Sequence, residues 1–478
     1  MSLYEACGWT LLRSLAITIV VLPICFGIHR RLGNSTASVR KLLWWVLLVP
    51  FFAPDLVVGY SYRNFALSLV HHPFLNELFY ALLVTLKVIS VGVVVLHFSP
   101  SPPVSPSALH TLRLAAYSSR HKNRWLLFSG YIHGQLQAAF PAAAVVFLLS
   151  FQEFDLASML GTTSWTVWLF DQNAQGLMLG ESLRLCMLPV ICELVVLGPL
   201  LLIIVRSRPA QSPHRLILAS NQMWHSITFW AYAVVANIVL VAIPFVIVFQ
   251  KSLGGINVLA SNVRFLRNIA TSGAFAVTAG LVVFLCARWI VQSFSHVRTG
   301  IPKKRLTALL LIPGLFGALV LGLVLLSAFQ TPPLRWLYDT PLPLLLGFVL
   351  LLLPKACVLQ FLATTAAPQH GIHLGHVLTR SPVTTQRNAG RETLWQLRAK
   401  PHFWILVLLC YWLYLELTVS YLLYPTGPVP VSVLIYGFVH YGSMSMLAAM
   451  VTLTMAAMLA SLLLVLTIRR RVIGWLFT

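Results

Sequence analysis

The sequence contains few acidic residues. Its 478 residues include 11 Asp and Glu against 33 Lys and Arg, and charged residues make up 9% of the chain. Because soluble globular domains carry about 25% charged residues, and because hydrophobic residues reach 58% here, we predict a membrane protein. The net charge of +22 is not read as a nucleic-acid signal, since the basic residues fall in short loops between apolar runs.

The sequence also lacks the motifs that carry catalysis. It contains no Walker A loop, no Gly-rich dinucleotide fingerprint and no HExxH zinc motif, and nothing resembles a nucleophile beside a base. We therefore expect a protein that is not an enzyme and that holds no cofactor. If ATP drives its function, a separate ATPase chain must hydrolyse it.

Metal-binding patterns are scarce as well. The seven cysteines show no CxxC spacing and six lie in apolar runs, which favours small core residues over disulfides or a metal site. His370, His373 and His376 have a spacing that could offer imidazoles to a metal ion. Gly371 and Gly375 argue against a stable helix there, so a flexible loop is the favoured interpretation.

Long apolar runs are what the sequence has in abundance. A bilayer-spanning helix needs about 20 apolar residues, and such runs dominate the chain. Eleven qualify, at roughly 8–28, 42–61, 77–98, 130–151, 184–205, 226–250, 268–290, 306–327, 341–363, 402–424 and 443–468. The predicted fold class is an all-α polytopic membrane protein with about 11 transmembrane helices.

Lys and Arg predict the orientation. With the N-terminus outside, the segments that face the cytoplasm hold 24 of the 33 basic residues and the outer segments hold six. This bias predicts an N-out, C-in topology. The predicted spans form two halves, residues 1–205 with about five helices and residues 226–478 with about six. A polar cytoplasmic linker, 206–225, joins them.

One stretch occurs in both halves. It reads FPAAAVVFLLSFQEFDLASMLGTTSWTVWLFDQNAQG over 140–176 and ILVLLCYWLYLELTVSYLLYPTGPVPVSVLIYGFVHYG over 405–442. In each copy an apolar run ends in one carboxylate, Glu153 or Glu416, and a turn rich in Thr, Gly or Pro follows. The turn of the second copy has three more residues. Matched halves in one multi-pass chain are typical of transporters built from repeats.

These features resemble the permease subunits of ATP-binding-cassette (ABC) transporters, and more narrowly the fused, double-length permeases of ferric-iron and thiamine importers. The closest stretches are VFLLSFQEFDLASMLG (146–161), LVPFFAPDLVVGYSY (48–62) and LYLELTVSYLLYPTGPVPVSVLIYGFVHYGS (413–443). The resemblance implies a multi-pass protein of the cell inner membrane that forms the pathway for a small solute, with ferric iron as one candidate. It implies cytoplasmic ATPase subunits and an external or periplasmic solute-binding protein as partners.

The resemblance also implies a short cytoplasmic helix in each half that couples the permease to the ATPase. In the first half the family signature falls on Leu114, Ala115, Ala116 and Arg120. The two alanines match that signature, whereas its Glu, Gly and Leu-Pro are absent. In the second half the loop 376–401, with Arg391 and Trp395, has the position and the basic character but no signature. Association with anionic lipid headgroups is the alternative interpretation.

Charged residues inside predicted spans are candidates for function, because a charge at a helix centre costs about 2.5–3.5 kcal/mol on insertion. Lys87 and Glu193 lie near the middle of their spans. We expect both to face the interior of the bundle, with a mutual ion pair or a place on the transport path as the hypotheses. Arg13 and Lys355 lie nearer to span ends, where long side chains can reach the headgroups.

Polar residues gather near the outer ends of the two repeated stretches. The ones singled out are Glu153, Asp155, Glu416, Tyr436 and His440. Carboxylate and phenolate oxygens suit a hard cation such as ferric iron, and they equally suit contacts with a binding protein or an aqueous rim. Their matching positions favour a role in lining the pathway or its gate over direct ligation of a metal.

Two other functions remain open at this point. An ion-coupled secondary transporter is also built from repeats and would work without an ATPase. A degenerate permease would serve as a membrane assembly or sensor subunit, since the coupling signatures are incomplete. A lipid-handling enzyme has no catalytic residues to support it.

Overall fold

A computed structural model describes residues 2–99, 139–206, 222–256, 259, 263–295, 310–366, 369–440, 445–457, 459–460 and 463. Every regular element in these ranges is helical, and they contain no strand. This confirms the all-helical fold class. The chain divides into two compact units, Met1–Ile247 and Val248–Thr478.

The first unit begins with a long helix and continues through a mixture of long and short ones. Its α-helices within the described ranges are α1 (Leu3–Gly33), α2 (Ala37–Leu48), α3 (Asp55–Ser68), α4 (Pro73–Phe98), α5 (Phe140–Phe151), α6 (Asp155–Leu160), α7 (Trp165–Ala174), α8 (Leu179–Arg206) and α9 (Gln222–Asn237). A 3₁₀ turn, Val49–Phe52, follows α2. A π-helical turn, Ile238–Ala242, joins α9 to α10 (Ile243–Ser252), which crosses the boundary between the units.

The second unit has a similar order of long and short helices. Those within its described ranges are α11 (Val263–Ser295), α12 (Gly317–Gln330), α13 (Leu342–Ala366), α14 (Gln369–Thr379), α15 (Thr384–Leu394), α16 (Lys400–Leu415), α17 (Thr418–Leu423), α18 (Val431–His440) and α19 (Ser445–Ala457). Two 3₁₀ turns, Pro313–Leu315 and Arg335–Leu337, precede α12 and α13. A π-helical turn, Trp395–Ala399, joins α15 to α16 without a break.

Local sequence signals explain several helix ends. At the start of α1 the Ser2 hydroxyl accepts a hydrogen bond from the Glu5 amide, and the Glu5 carboxylate accepts one from the Ser2 amide. This reciprocal pair satisfies two amides that the helix itself cannot. Helix α4 begins with Pro73 at a position where the missing N–H costs nothing.

Six helices are long and apolar enough to cross a membrane, among the residues that the structure describes. They are Leu3–Gly33, Pro73–Phe98, Leu179–Pro199, Met223–Ser252, Val263–Ser293 and Leu342–Thr364, and all six overlap predicted spans. A seventh candidate is the pair Ser38–Phe52 and Asp55–Ser68, which is bent by 66°. The other four predicted spans correspond to shorter helices, so the count of eleven stays a prediction.

Corresponding helices make corresponding contacts inside each unit. Helix α1 packs on α4 and α5 in the first unit, and α11 packs on α13 and α16 in the second. Likewise α3 packs on α6, and α12 packs on α17. Helix α9 packs on α1, so the first compact unit continues past the predicted linker at 206–225. Residues 207–221 of that linker lie outside the described part of the chain.

A pair of glycines lets the short helix of each unit approach its neighbour. A Cβ atom on Gly59 of α3 would lie 2.6 Å from the Met159 Cβ atom on α6. A Cβ atom on Gly322 of α12 would lie 2.6 Å from the Leu422 Cδ1 atom on α17. Both distances are too short for a real carbon–carbon contact, so a larger side chain at Gly59 must displace the short helix, and one at Gly322 must displace at least the Leu422 side chain.

We expect Gly59→Val and Gly322→Val each to lower the free energy of unfolding by about 1–3 kcal/mol, because each adds volume to a packed contact. Equilibrium unfolding in mixed detergent micelles measures the change. Gly8→Ala is the control, since a Cβ atom there meets nothing within 4 Å, and it should not destabilise. Equal stability of all three variants would contradict the close packing.

Candidate functional site

The first repeated stretch is a helix that stops and restarts at a carboxylate. Helix α5 ends at Phe151, and α6 begins at Asp155. One oxygen of Glu153, Oε1, accepts a hydrogen bond from the Leu156 amide at 2.6 Å. The other, Oε2, accepts from the Ala157 amide at 3.1 Å. The carboxylate thus satisfies two amides at the start of α6 that lack partners within the helix.

The second repeated stretch has the same structure around Glu416. Helix α16 ends at Leu415 and α17 begins at Thr418. Glu416 Oε1 accepts from the Val419 amide at 3.0 Å, and Oε2 accepts from the Ser420 amide at 3.0 Å. The accepted amides are three and four residues beyond the carboxylate, as they are in the first copy. The sequence match therefore marks a real structural equivalence.

A second hydrogen bond closes the turn in each copy. The Thr166 hydroxyl donates to the Glu153 carbonyl at 2.9 Å, and the Ser432 hydroxyl donates to the Glu416 carbonyl at 2.7 Å. The partners are 13 residues apart in the first copy and 16 apart in the second. The difference is the three extra residues of the second turn. We call residues 153–166 the first motif and residues 416–432 the second motif.

A third hydrogen bond attaches each motif to the first long helix of its unit. The Trp165 amide donates to Thr10 Oγ1 on α1 at 3.1 Å. The Val431 amide donates to Ser272 Oγ on α11 at 3.0 Å. Trp165 and Val431 each directly precede the residue that closes its turn. Helices α1 and α11 are therefore equivalent elements of the repeat.

The repeat also extends to a segment outside the two carboxylate stretches. LVPFFAPDLVVG (48–59) in the first unit lines up with LIPGLFGALVLG (311–322) in the second, ending at the two close-packed glycines. In both segments a 3₁₀ turn precedes the helix, α3 or α12. The shared Leu-x-Pro and Leu-Val-x-Gly letters were the signal that could have revealed this pair.

The first motif is also held by an internal ion pair. Arg13 on α1 is 6% exposed, and its Nη1 atom lies 2.6 Å from Glu77 Oε2 on α4. The same nitrogen donates to the Thr163 carbonyl at 3.0 Å, and the guanidinium lies over the Tyr80 ring at 4.4 Å. The prediction that Arg13 reaches the headgroups is therefore wrong. A partner from α4 and a carbonyl of the first motif compensate the buried charge instead.

Tyr80 links this ion pair to the carboxylate of the first motif. Its hydroxyl donates to Glu153 Oε2 at 2.7 Å, and the Tyr80 side chain is fully buried. Glu77 Oε1 accepts a hydrogen bond from the Thr163 amide at 3.2 Å. The first motif is thus surrounded by Arg13, Glu77 and Tyr80, none of which the sequence analysis assigned to it.

The two mid-span charges do not pair with each other. Lys87 on α4 forms an ion pair with Asp55 at the start of α3. Glu193 on α8 is 2% exposed and accepts a hydrogen bond from Gln152 Nε2 at 3.0 Å. The hypothesis of a Lys87–Glu193 pair is therefore wrong. Lys87 and Glu193 are each bonded to a residue at the end of a neighbouring helix, Asp55 and Gln152 respectively.

The other residues predicted near the outer rim are Asp155, Tyr436 and His440, which lie on α6 and α18. Asp155 is the first residue of α6, where a negative charge favours a helix N-terminus. Tyr436 on α18 is 7% exposed, and its ring meets the edge of Tyr421 with centroids 5.9 Å apart. His440 is the last residue of α18, and its side chain is not among those that the structure describes. Among the described residues, no three His, Cys, Asp or Glu side chains come together as a metal site.

The second predicted coupling segment is a helical hairpin. Helices α14 and α15 pack together, and a Cβ atom on Gly390 would lie 2.7 Å from the Thr379 amide nitrogen. Arg391 is exposed on α15, and Trp395 is buried at the start of the π-helical turn. In the first half, Leu114, Ala115, Ala116 and Arg120 lie outside the described residues.

The three clustered histidines lie on a helix. His370, His373 and His376 belong to α14 and are exposed, so the flexible-loop interpretation is wrong. Gly375 faces α15, where a Cβ atom would lie 2.9 Å from the Leu394 side chain. Close packing against α15 stabilises the helix in spite of the low helix propensity of glycine.

No known protein family, no curated protein and no solved structure matches this chain.

We expect Glu416→Ala to lower the free energy of unfolding by about 0.5–2 kcal/mol, because it removes a helix cap. Glu153→Ala should lower the free energy of unfolding by about 1–3 kcal/mol more than Glu416→Ala does, since it also leaves the buried Tyr80 hydroxyl without its acceptor. Unfolding in mixed micelles measures both. When Tyr80 is replaced by Phe, Glu153→Ala should destabilise the protein no more than Glu416→Ala does. If the difference persists, the Tyr80 hydrogen bond is not its cause.

We expect a double-mutant cycle of Lys87→Met and Asp55→Asn to give a coupling free energy of about 0.5–3 kcal/mol, because the two charges are in contact. The same cycle with Lys87→Met and Glu193→Gln should give a coupling within about 0.5 kcal/mol of zero. Unfolding of the single and double variants measures both values. Strong coupling of Lys87 to Glu193 would show that the ion pair has been assigned to the wrong carboxylate.

Proposed function

We propose that the chain is the transmembrane permease subunit of an ABC importer in the cell inner membrane. It forms the translocation pathway for a small solute that a binding protein delivers, with ferric iron as one candidate. The observation that carries this proposal is the recurrence of one motif, built from the same hydrogen bonds, in both units. Discontinuous helices in repeated units are how many transporters expose polar groups to a solute inside the membrane.

The proposal includes eleven spans with an N-out, C-in orientation. Glu153 and Glu416 then lie toward the outer ends of corresponding helices, α5 and α16. Two of the four shorter spans, α5 and α16, stop at a carboxylate, and such a break leaves a helix shorter than the bilayer. The distribution of Lys and Arg supports the orientation.

Coupling to the ATPase is proposed to run through the hairpin of α14 and α15. Helix α15 continues through the π-helical turn into α16, and α16 ends at Glu416. A push on the hairpin would therefore reach the second motif through one continuous helical rod. The exposed Arg391 and the buried Trp395 lie on this rod. In the first half, the loop that contains Ala115 and Ala116 is proposed to play the corresponding role.

The second candidate function is an ion-coupled secondary transporter. The observation in its favour is the presence of two partly buried ion pairs in the first unit, Arg13 with Glu77 and Lys87 with Asp55. Charged groups inside a membrane protein often belong to ion or proton pathways. Such a transporter would move solute without an ATPase partner, which separates the two proposals.

We expect the tagged full-length chain, purified in mild detergent from its native membranes, to bring down an ABC ATPase. Arg391→Glu should reduce the recovered ATPase at least tenfold, because it reverses a charge on the proposed docking hairpin. Mass spectrometry of the purified complex measures the ratio of ATPase to permease. Arg335→Glu is the matched control, since Arg335 is exposed on the predicted outer side, and recovery should stay unchanged.

Two outcomes would contradict the importer proposal. Repeated purification without any ATPase would exclude a stable importer complex. Solute uptake that depends on an ion gradient and persists in proteoliposomes without ATP would favour the secondary transporter. An equal loss of ATPase in the Arg391→Glu and Arg335→Glu variants would show that the hairpin is not the docking surface.

A further inference from the structure

Two cysteine side chains meet where α1 packs on α8. The Sγ atoms of Cys7 on α1 and Cys192 on α8 lie 3.7 Å apart, which places them in van der Waals contact. The sulfurs of a disulfide lie about 2.0 Å apart, so small side-chain rotations bring this pair to bonding distance. The two cysteines are 185 positions apart in the chain, and only the packing of the helices brings them together.

The pair lies near the beginning of α1. Cys7 is the fifth residue of that helix and precedes the first predicted span, 8–28. At 1.5 Å per residue it lies about 6 Å from the start of the helix. In the N-out orientation proposed above this is the outer side of the membrane, where thiols are not kept reduced. That location rests on the proposed function, whereas the chemistry of the pair does not.

The two thiols differ in access. Cys7 is 2% exposed, whereas Cys192 is partly exposed. The side chains on either side of Cys192 along α8 include Ile191 and Leu194, which are exposed. A reagent that approaches this face of α8 therefore meets Cys192 first, and Cys7 lies behind it.

We propose that Cys7 and Cys192 form a reversible disulfide that ties α1 to α8 and restrains the first motif. The oxidant is a second disulfide, carried by a small molecule or by a protein. Cys192 Sγ attacks one sulfur of the oxidant, which forms a mixed disulfide and releases the other sulfur as a thiolate. Cys7 Sγ then attacks Cys192 Sγ and displaces the second sulfur of the oxidant. The two cysteine protons go to the two released thiolates, so the cysteines lose two electrons and the oxidant gains them.

The disulfide joins two helices that both hold the first motif. Thr10, three residues after the first cysteine, accepts a hydrogen bond from the Trp165 amide. Glu193, the residue after the second cysteine, accepts one from Gln152, which directly precedes the motif. A covalent bond between α1 and α8 therefore restrains two supports of the motif at once. It does so whether an ATPase or an ion gradient drives transport.

The lipid-permeant disulfide 2,2′-dithiodipyridine tests the proposal on the full-length protein in nanodiscs, which expose both membrane faces and make the result independent of orientation and of transport. A lone thiol keeps a pyridylthio group and releases one thiopyridone, whereas a reacting pair releases two and keeps none. Mass spectrometry without reduction should find a Cys7–Cys192 cross-linked peptide that carries no adduct. In Cys7→Ser, Cys192 should keep the pyridylthio group. A stable adduct on Cys192 in the wild-type protein, or a Cys192 thiol that stays unmodified in both proteins, would overturn the proposal.

The matched control is Cys186→Ser. Cys186 is a buried cysteine six residues earlier on the same helix, and its loss should leave the yield of the cross-linked peptide unchanged. Oxidation should slow hydrogen–deuterium exchange of the Trp165 amide at least threefold in the wild-type and Cys186→Ser proteins, and should leave it unchanged in Cys7→Ser. A cross-linked protein whose Trp165 amide exchanges at the original rate would show that the bond does not restrain the first motif.

Discussion

Each unit depends on one constraint, namely that a helix which breaks among apolar helices must still satisfy its free amides. Water is scarce there, so an unpaired N–H group costs several kcal/mol. Glu153 and Glu416 meet the constraint with one side chain each, since a carboxylate has two oxygens and can accept from two successive amides. The position of the carboxylate therefore fixes where the second helix starts. Gly59 on α3 and Gly322 on α12 lie against these second helices.

The two units solve this common problem with different chemistry around it. In the first unit, charged and phenolic side chains of α1 and α4 contact the motif. Arg13 and Glu77 pair with each other, Glu77 also accepts a hydrogen bond from the motif's backbone, and Tyr80 donates to Glu153. In the second unit, the apolar side chains Phe275, Leu344 and Phe348 line a small cavity beside Ser420 and Pro430.

Much of the motif could be read from the sequence, because its signals are local. An apolar run that ends in a single carboxylate, followed by a turn, marks Glu153 and Glu416 as equivalent positions. The predicted span 402–424 nevertheless runs through the break that the structure has at Glu416. The charge partners could not be read in this way. Arg13 and Glu77 are 64 positions apart, and the spacing of residues within one helix says nothing about which helix packs against it. For the same reason, residue spacing could not show that Lys87 pairs with Asp55 or that packing against α15 keeps the histidines of α14 on a helix.

The sequence by itself determined that this is an all-helical membrane chain with two related stretches. Hydrophobic run length and residue spacing depend on neighbours along the chain, and these are visible in the letters. Only the tertiary structure decided that Lys87 pairs with Asp55 and that Arg13 turns inward. A buried charge pairs with an opposite charge that helix packing places near it. The spacing of residues along one helix does not determine which distant helix packs against it.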